Sequence, residues 1–396
     1  MENINQRPSR FDQQLKTFQT LLAAYPGEVP LARFLPGFFR ENKQMGSNDR
    51  RIASRLIYNY FRIGKALSES SPSDRLFVAE FLCQASPTPF LEHFHQKLNA
   101  SISASVDEKL EILSDLKLGF ELSDVFPFAG HLSQGIDQNA FLKSFFVQPD
   151  LFIRIHPNKE SGVLAVLDSA AVPYKKESFD CLRLPNGTKL DQIFPEEKFF
   201  EIQDISSQQT GAYFQPKQYD YWWDCCAASG GKSLLLFHQQ PQIKLVVSDM
   251  RETILANLNE RFQLAGLKKY QKKVLDLTQN PEPYIHDFHF DGIIVDAPCS
   301  GSGTWGRTPE MISQFREAKI GSFQRLQRSI LRNVVKYLKP EKPLVYITCS
   351  VFTEENEENV LFLQQEFNLK LEKQEVLRGY DKKADTMFVA RLLKES

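Results

Sequence analysis

The stretch Asp224-Cys225-Cys226-Ala227-Ala228-Ser229-Gly230-Gly231-Lys232-Ser233 decides how this chain is read. A predicted strand, Tyr219 to Asp224, runs into a turn of small residues, and a helix is expected to start near Lys232. Glycine lets backbone come close to a ligand, and a helix N-terminus presents N–H groups that have no partner within the helix. The stretch therefore reads as the ligand-binding turn of an α/β sheet. Gly231-Lys232-Ser233 has the form of the end of a triphosphate-binding loop, and Ile293-Ile294-Val295-Asp296 would be its magnesium-holding strand. That loop also needs a glycine five residues before Gly231, where Cys226 stands. A nicotinamide fold wants Gly-x-Gly-x-x-Gly, which is absent.

Outward from this turn, predicted strands and helices alternate from about residue 219, the pattern of a doubly wound sheet. Lys244 to Ser248 is a second strand, ending at Asp249, and Val274-Leu275 belongs to a third. Gly292 to Val295 is a fourth, ending at Asp296, and Leu344 to Ile347 is a fifth, ending at Thr348-Cys349. Two late strands, around Leu371 and Phe388-Val389-Ala390, close the sheet. The chemistry-bearing residues fall at carboxyl ends of these strands, the edge where open α/β sheets bind ligands. Asp249 lies about twenty residues after the glycines, where a carboxylate accepts from ribose hydroxyls; a plain strand-end turn is the rival reading.

Upstream, Leu151 to Ile155 reads as a strand, Gly162 to Ser169 as a short helix, Leu182 to Leu184 as a strand before the turn Pro185-Asn186-Gly187, and Phe199 to Ile202 as another strand. This order suggests a small ferredoxin-like α+β module. Residues 1 to about 105 read as helical, with Phe11, Leu15, Phe18 and Leu22 at helical spacing and Ser47-Asn48-Asp49 as a cap for a helix bearing Ile52, Leu56, Ile57, Tyr60 and Phe61. Arg50, Arg51, Arg55 and Arg62 lie around that helix, as a solvated face or as part of a nucleic-acid footprint. Between 86 and 145 the pattern is ambiguous, apart from an amphipathic helix near Val106 to Leu116.

The 396 residues allow two or three domains. With 48 basic against 49 acidic residues, the net charge is -1, whereas a protein living on non-specific phosphate contacts is usually more basic, so nucleic-acid binding would rest on local patches or a shaped pocket. The start, Met1-Glu2-Asn3-Ile4-Asn5-Gln6-Arg7, lacks the cationic and apolar regions of a secretory leader, and no apolar run is long enough to span a membrane. The six cysteines form no Cys-x-x-Cys pair, so neither a zinc site nor a disulfide scaffold is expected, and a reducing cytoplasm fits best. Cys83 and Cys181 read as small buried hydrophobes. Cys299, in Asp296-Ala297-Pro298-Cys299-Ser300-Gly301-Ser302-Gly303, and Cys349, in Ile347-Thr348-Cys349-Ser350, stand at two strand ends beside the glycine turn. Either alone fits a structural role; together they argue for thiol chemistry. Glu354-Glu355-Asn356-Glu357 is expected to open a helix next to Cys349, whose macrodipole would favour its thiolate.

These four motifs, in this order and spacing, resemble the RNA cytosine-5 methyltransferases, the family that includes bacterial Sun/Fmu ribosomal RNA enzymes and nucleolar Nol/Nop relatives. The resemblance covers roughly residues 145 to 396, with Glu201-Ile202-Gln203-Asp204, Ser207-Gln208 and Asp385 to Ala390 as further matches. Gly46 to Arg51 with Tyr58 matches an N-terminal helical segment of bacterial members more weakly. Ser229 stands where the family usually has proline, Ile254 where it has arginine, and Arg261 where it has asparagine; Arg307 stands alone where a pair of arginines is common.

The resemblance implies a Rossmann-like methyltransferase sheet over 206–396, a linker and ferredoxin-like module over 106–205, and a NusB-like helical domain over 1–105. It implies S-adenosyl-L-methionine as cofactor, held by Cys226, Ala227, Ala228, Ser229, Gly230, Gly231, Lys232, Asp249, Asp276 and Asp296. Cys349 would attack cytosine, Cys299 would assist product release, Asp296 would contact the base and Lys232 would order the cluster. The expected partner is RNA, ribosomal before transfer RNA, acted on by a cytoplasmic monomer without a metal. Lys268, Lys269, Lys272 and Lys273, and Arg325, Arg328 and Arg332, are candidate RNA contacts or solvated faces. A DNA cytosine methyltransferase would use the Pro-Cys thiol and would not need Cys349; a P-loop triphosphatase is the distant alternative.

Overall fold

The computed structural model describes residues 9–195 and 199–396; the start read above for a leader lies outside them. The chain divides into two compact units. One comprises residues up to Gly130, Asp137–Gln148 and Trp305–Phe315; the other comprises His131–Ile136, Pro149–Thr304 and Arg316–Ser396.

The first unit is helical, with helices at Arg10–Ala24, Leu31–Glu41, Ser47–Arg62, Pro72–Cys83, Pro89–Phe94, Gln96–Ala100, Val106–Asp115, Leu122–Val125, Gln138–Ser144 and Glu310–Gln314. Ser105 caps Val106–Asp115, its hydroxyl accepting from the Glu108 amide while the Glu108 carboxylate accepts from the Ser105 amide, so a capping box starts this helix where the apolar periodicity does. Ser47 is inside its helix rather than capping it: the Gly46 amide donates to the Asp49 carboxylate at 3.3 Å. The helices after residue 105 belong to the same unit as those before it, and so does Trp305–Phe315. That segment is built into the helical core: Trp305 is 1% exposed against Phe126 and Phe315, and the Leu31 amide donates to buried Glu310 at 2.9 Å.

The arginine cluster is not a uniform surface. Arg62 is 2% exposed and donates to the carbonyls of Phe145, Val147 and Gly306. Arg55 pairs with fully buried Glu80 at 3.1 Å. Both side chains are committed to internal polar groups, which are costly to bury unpaired, so a footprint using all four arginines is ruled out.

The second unit contains two sheets. The smaller holds β1 (Leu151–Ile155), β2 (Lys175–Lys176), β3 (Cys181–Leu184) and β4 (Phe200–Ile202), in the antiparallel order β2-β3-β1-β4, with the helix Glu160–Ser169 between β1 and β2. This is the ferredoxin-like order the sequence pattern suggests. The larger holds β5 (Tyr221–Asp224), β6 (Lys244–Asp249), β7 (Gln271–Val274), β8 (Gly292–Asp296), β9 (Pro343–Thr348), β10 (Leu369–Leu377) and β11 (Met387–Lys394), in the order β10-β11-β9-β8-β5-β6-β7. β5 to β9 are parallel, and β11 runs antiparallel to both β9 and β10.

Continuous apolar runs make the central strands, as expected where helices cover both faces. Ile293, Ile294, Val295, Leu344, Val345, Tyr346 and Ile347 are all 0% exposed, each large apolar side chain contributing about 1.5–3 kcal/mol by burial. β7 is the exception. It is an edge strand carrying Lys272 and Lys273, and it starts earlier than the apolar pair Val274-Leu275 indicates. Lysines on an edge strand discourage pairing with another chain.

Candidate active site

The strand order reverses between β5 and β8, and in such sheets the crevice at that switch point is where ligands sit. Two motif turns leave the sheet there, one after each strand. After β5 the backbone enters the left-handed region at Ala228 (φ 45°) and again at Gly230 (φ 85°) before the helix Gly231–Gln239 begins. Gly230 is required twice over: its backbone suits glycine, and a Cβ there would lie 2.4 Å from the Phe262 ring. The turn is tied to the next strand end, since the Ala227 amide donates to the Ser248 carbonyl at 2.9 Å and the Ala228 amide to Asp249 at 3.0 Å.

Asp249 is 6% exposed. Burial would raise its carboxyl, but hydrogen bonds from Arg251 and the Ala228 amide outweigh this and hold it below the ordinary value. It is an ionised acceptor at the end of β6, as an adenosine ribose requires. Asp224, fully buried under the turn, is pushed up to about 7 by burial, against the hydrogen bond from Ser233 at 2.6 Å. Asp276, beyond β7, is exposed and accepts from the amide and hydroxyl of Thr278 at 2.9 and 2.7 Å. A small-residue turn, a helix start and a strand-end carboxylate fit an adenosine-bearing cofactor, which Cys226 to Lys232 and Asp249 could hold.

Two residues that depart from the family pattern touch each other. Arg261 Nη1 donates to the Ser229 carbonyl at 2.7 Å and its hydroxyl at 2.6 Å, and its guanidinium pairs with Glu201 on β4. Glu201 in turn meets His156 Nε2 at 3.0 Å. With serine in place of proline, the turn is braced by a side chain from the helix Glu252–Leu264 and by the ferredoxin-like module.

On the other side of the switch point, Lys232 Nζ lies 3.3 Å from the Asp296 carboxylate and donates to Ser207 Oγ at 2.6 Å. β8 and β9 then deliver the two cysteines together: Cys299 Sγ is 3.2 Å from Cys349 Sγ. Both are free thiols. The hydrogen bond with Cys349, followed by burial, pushes the Cys299 thiol well above its ordinary value. The macrodipole expectation for Cys349 fails, because the helix starts only at Glu357, eight residues on.

Residues 212–394 match the family model described as 16S rRNA methyltransferase RsmB/F. Over this stretch the chain is similar to the methyltransferase domain of the RsmB/F family. The ribosomal RNA small subunit methyltransferase B of Enterobacter sp. (strain 638) is 32% identical over 231 residues, 57% of this chain and 53% of that protein. The protein of the same name from Klebsiella pneumoniae subsp. pneumoniae is 30% identical over 222 residues, 54% of this chain and 50% of its own. The chain thus spans about half the length of the curated relatives it matches. The crystal structure of PH0851 superposes with a TM-score of 0.69 at 21% identity, covering 96% of this chain and 97% of that one. NSun6 from Pyrococcus horikoshii with SFG gives 0.58 at 17% identity, covering 66% of this chain and 94% of that one. These likenesses bear out the Rossmann-like methyltransferase fold.

Within this stretch, the residue whose place the sequence does not reveal is Glu355. It is not part of a helix but turns inward with Asn356, both 0% exposed. The signal was on another helix: Gln327 falls on the apolar face of Ala318–Val334, in line with Ile320, Leu331 and Val334, and is itself fully buried beside Glu355. Of the basic runs, Arg328 and Arg332 stack on Phe362. Lys268 and Lys269 precede β7 and thus stand at the sheet edge opposite the cysteines. Among the described residues no helix is long and apolar enough to cross a membrane.

Proposed function

We propose that this chain is an S-adenosyl-L-methionine-dependent RNA methyltransferase forming 5-methylcytosine in ribosomal RNA, with Cys349 as nucleophile. The observation that carries the reading is the thiol pair, 3.2 Å apart at adjacent strand ends, beside an Asp296–Lys232 pair and a cofactor-type turn. A triphosphatase has no use for two such thiols. The relatives' names point to ribosomal RNA, and transfer RNA is the alternative substrate.

Cytosine carbon 5 is a weak nucleophile. Addition of the Cys349 sulfur to carbon 6 opens the ring double bond and makes an enamine, whose carbon 5 can take a methyl group. Loss of the carbon-5 proton and breakage of the C–S bond then restore the ring and the thiolate. Cys299, within hydrogen-bond distance of that sulfur, assists its release afterwards. Asp296 accepts from the exocyclic amine or, protonated, donates to the ring nitrogen, and Lys232 orders it. When bound, S-adenosyl-L-methionine supplies an electrophilic methyl group. The target base must leave its stack to reach the thiols, and the helical unit is assigned the selection of the RNA.

The cofactor arm is tested by titration calorimetry. Wild type should bind S-adenosyl-L-methionine in the micromolar range, and Asp249→Ala should weaken it roughly tenfold or more through lost hydrogen bonds to a charged acceptor. Binding of magnesium-ATP with no binding of S-adenosyl-L-methionine would overturn the assignment.

A further inference from the structure

Glu355 spends both carboxylate oxygens on the two cysteine loops. Oε2 accepts from the amide of Ser300, the residue after Cys299, at 2.9 Å, and from Gln327 Nε2 at 2.8 Å. Oε1 accepts from the hydroxyl of Ser350, the residue after Cys349, at 2.6 Å. Around it, the Ser300, Ser302 and Ser350 hydroxyls lie 3.1–3.2 Å from one another, and Ser302 Oγ accepts from the Val351 amide at 2.9 Å. Gln327 also donates to the Pro298 carbonyl at 3.1 Å and accepts from Asn359 at 2.7 Å. No lysine or arginine forms an ion pair with Glu355 among the described residues.

A fully buried carboxylate with no cation beside it is an expensive way to tie two loops. A neutral or apolar tie is often as stable or more so. What the carboxylate adds is a charge, one residue removed from each thiol, and a single rigid centre to which both backbones are fixed. We propose that Glu355 is a positioning residue of the thiol chemistry, tying the Cys299 and Cys349 loops to one centre and so setting the separation of the two sulfurs. The proposal rests on the cysteine-mediated reading above. The carboxylate's charge acts on the same loops: a nearby negative charge disfavours a second one, and Glu355 is among the charges that raise Cys299. The other ionisable groups around these loops are Tyr346, which donates to the Glu355 carbonyl at 2.7 Å, Arg328, and the Lys232–Asp296 pair.

Two variants of the full chain separate spacing from charge. In Glu355→Gln, the side-chain carbonyl can accept from Ser300 and Gln327 while the amide donates to Ser350, whose hydroxyl turns to Ser302; the clamp stays and the charge goes. Glu355→Ala removes both. The readouts are single-turnover methyl transfer, and the rate of iodoacetamide labelling of each cysteine against pH, read by mass spectrometry. Cofactor affinity and melting temperature serve as controls. Methyl transfer should fall about a hundredfold in Glu355→Ala with cofactor affinity unchanged, the size of loss expected from displaced reacting groups. Glu355→Gln should recover most of that loss, and its Cys299 labelling should move to lower pH by about one unit. The proposal is overturned if Glu355→Ala loses activity only in proportion to unfolded protein, or if Glu355→Gln leaves the Cys299 profile unmoved. If the profile shifts as expected but wild type makes no 5-methylcytosine, the positioning role stands and the reading of the reaction fails.

Discussion

Cys349→Ala abolishes both methyl transfer and any covalent protein–RNA adduct, whereas Cys299→Ala accumulates the adduct: that contrast is the largest effect expected from this site. Only one of two sulfurs 3.2 Å apart can add to carbon 6 from a given face. An isolated thiol with a pKa of about 8.5 is a few per cent ionised at neutral pH, so the partner that donates a hydrogen bond matters. The bond to Cys349 and burial raise the Cys299 thiol well above its ordinary value, which suits a role in release rather than attack. Without Cys299, attack and methylation remain possible but release is unassisted, and RNA stays on Cys349. A slow-migrating band that survives denaturation should appear in Cys299→Ala and vanish in the double variant. Should the band instead form in Cys349→Ala and require Cys299, the roles are reversed and the enzyme works as DNA cytosine methyltransferases do.

The second large effect is expected at Gly303. Its amide donates to the Cys349 carbonyl at 2.9 Å, and its own carbonyl accepts from the Thr386 amide at 2.9 Å, so the loop after β8 is pinned to the ends of both β9 and β11. A Cβ at this position would stand 2.0 Å from the Thr386 carbonyl oxygen and 3.1 Å from that of Cys349. These are backbone atoms, and they cannot swing aside as a flexible side chain could. Gly303→Ala must therefore shift the backbone that carries Cys349. The expected stability loss is about 1–3 kcal/mol, with a fall in single-turnover methyl transfer of about a hundredfold, because an ångström of displacement is enough for that. Denaturant midpoints and single-turnover rates on the same preparation check it. A variant that loses the stability but keeps wild-type turnover would show that the Cys349 loop does not transmit the strain.

The doubly wound sheet was legible because its strands are short apolar runs that stop at functional residues: Ile293-Ile294-Val295 before Asp296, and Leu344 to Ile347 before Thr348-Cys349. The ferredoxin-like module was legible from strand, helix and turn order. Three things were not. β7 hides behind its lysines, since an exposed edge strand has no apolar run to announce it. Trp305–Phe315 looks like a loop of the catalytic domain, and nothing local reveals that Trp305 and Glu310 complete the helical unit far away in sequence. Glu355 looks like a helix-opening acid, because four polar residues before a helix are usually a capped start. Here the helix begins later, and the polar run folds inward onto Ser300, Ser350 and Gln327. Periodicity reports which face of an element is buried; it does not report which buried polar groups find one another across the chain.

The most direct measurement is the identity of the methylated nucleoside. Ribosomal RNA from a strain lacking this protein, incubated with the purified full chain and methyl-labelled S-adenosyl-L-methionine, is digested to nucleosides and resolved by chromatography. The label should migrate with 5-methylcytidine, and none should be incorporated by Cys349→Ala. Label found on the exocyclic amine of cytidine or on another base, or retained by Cys349→Ala, would contradict a cytosine-5 reaction carried by this thiol.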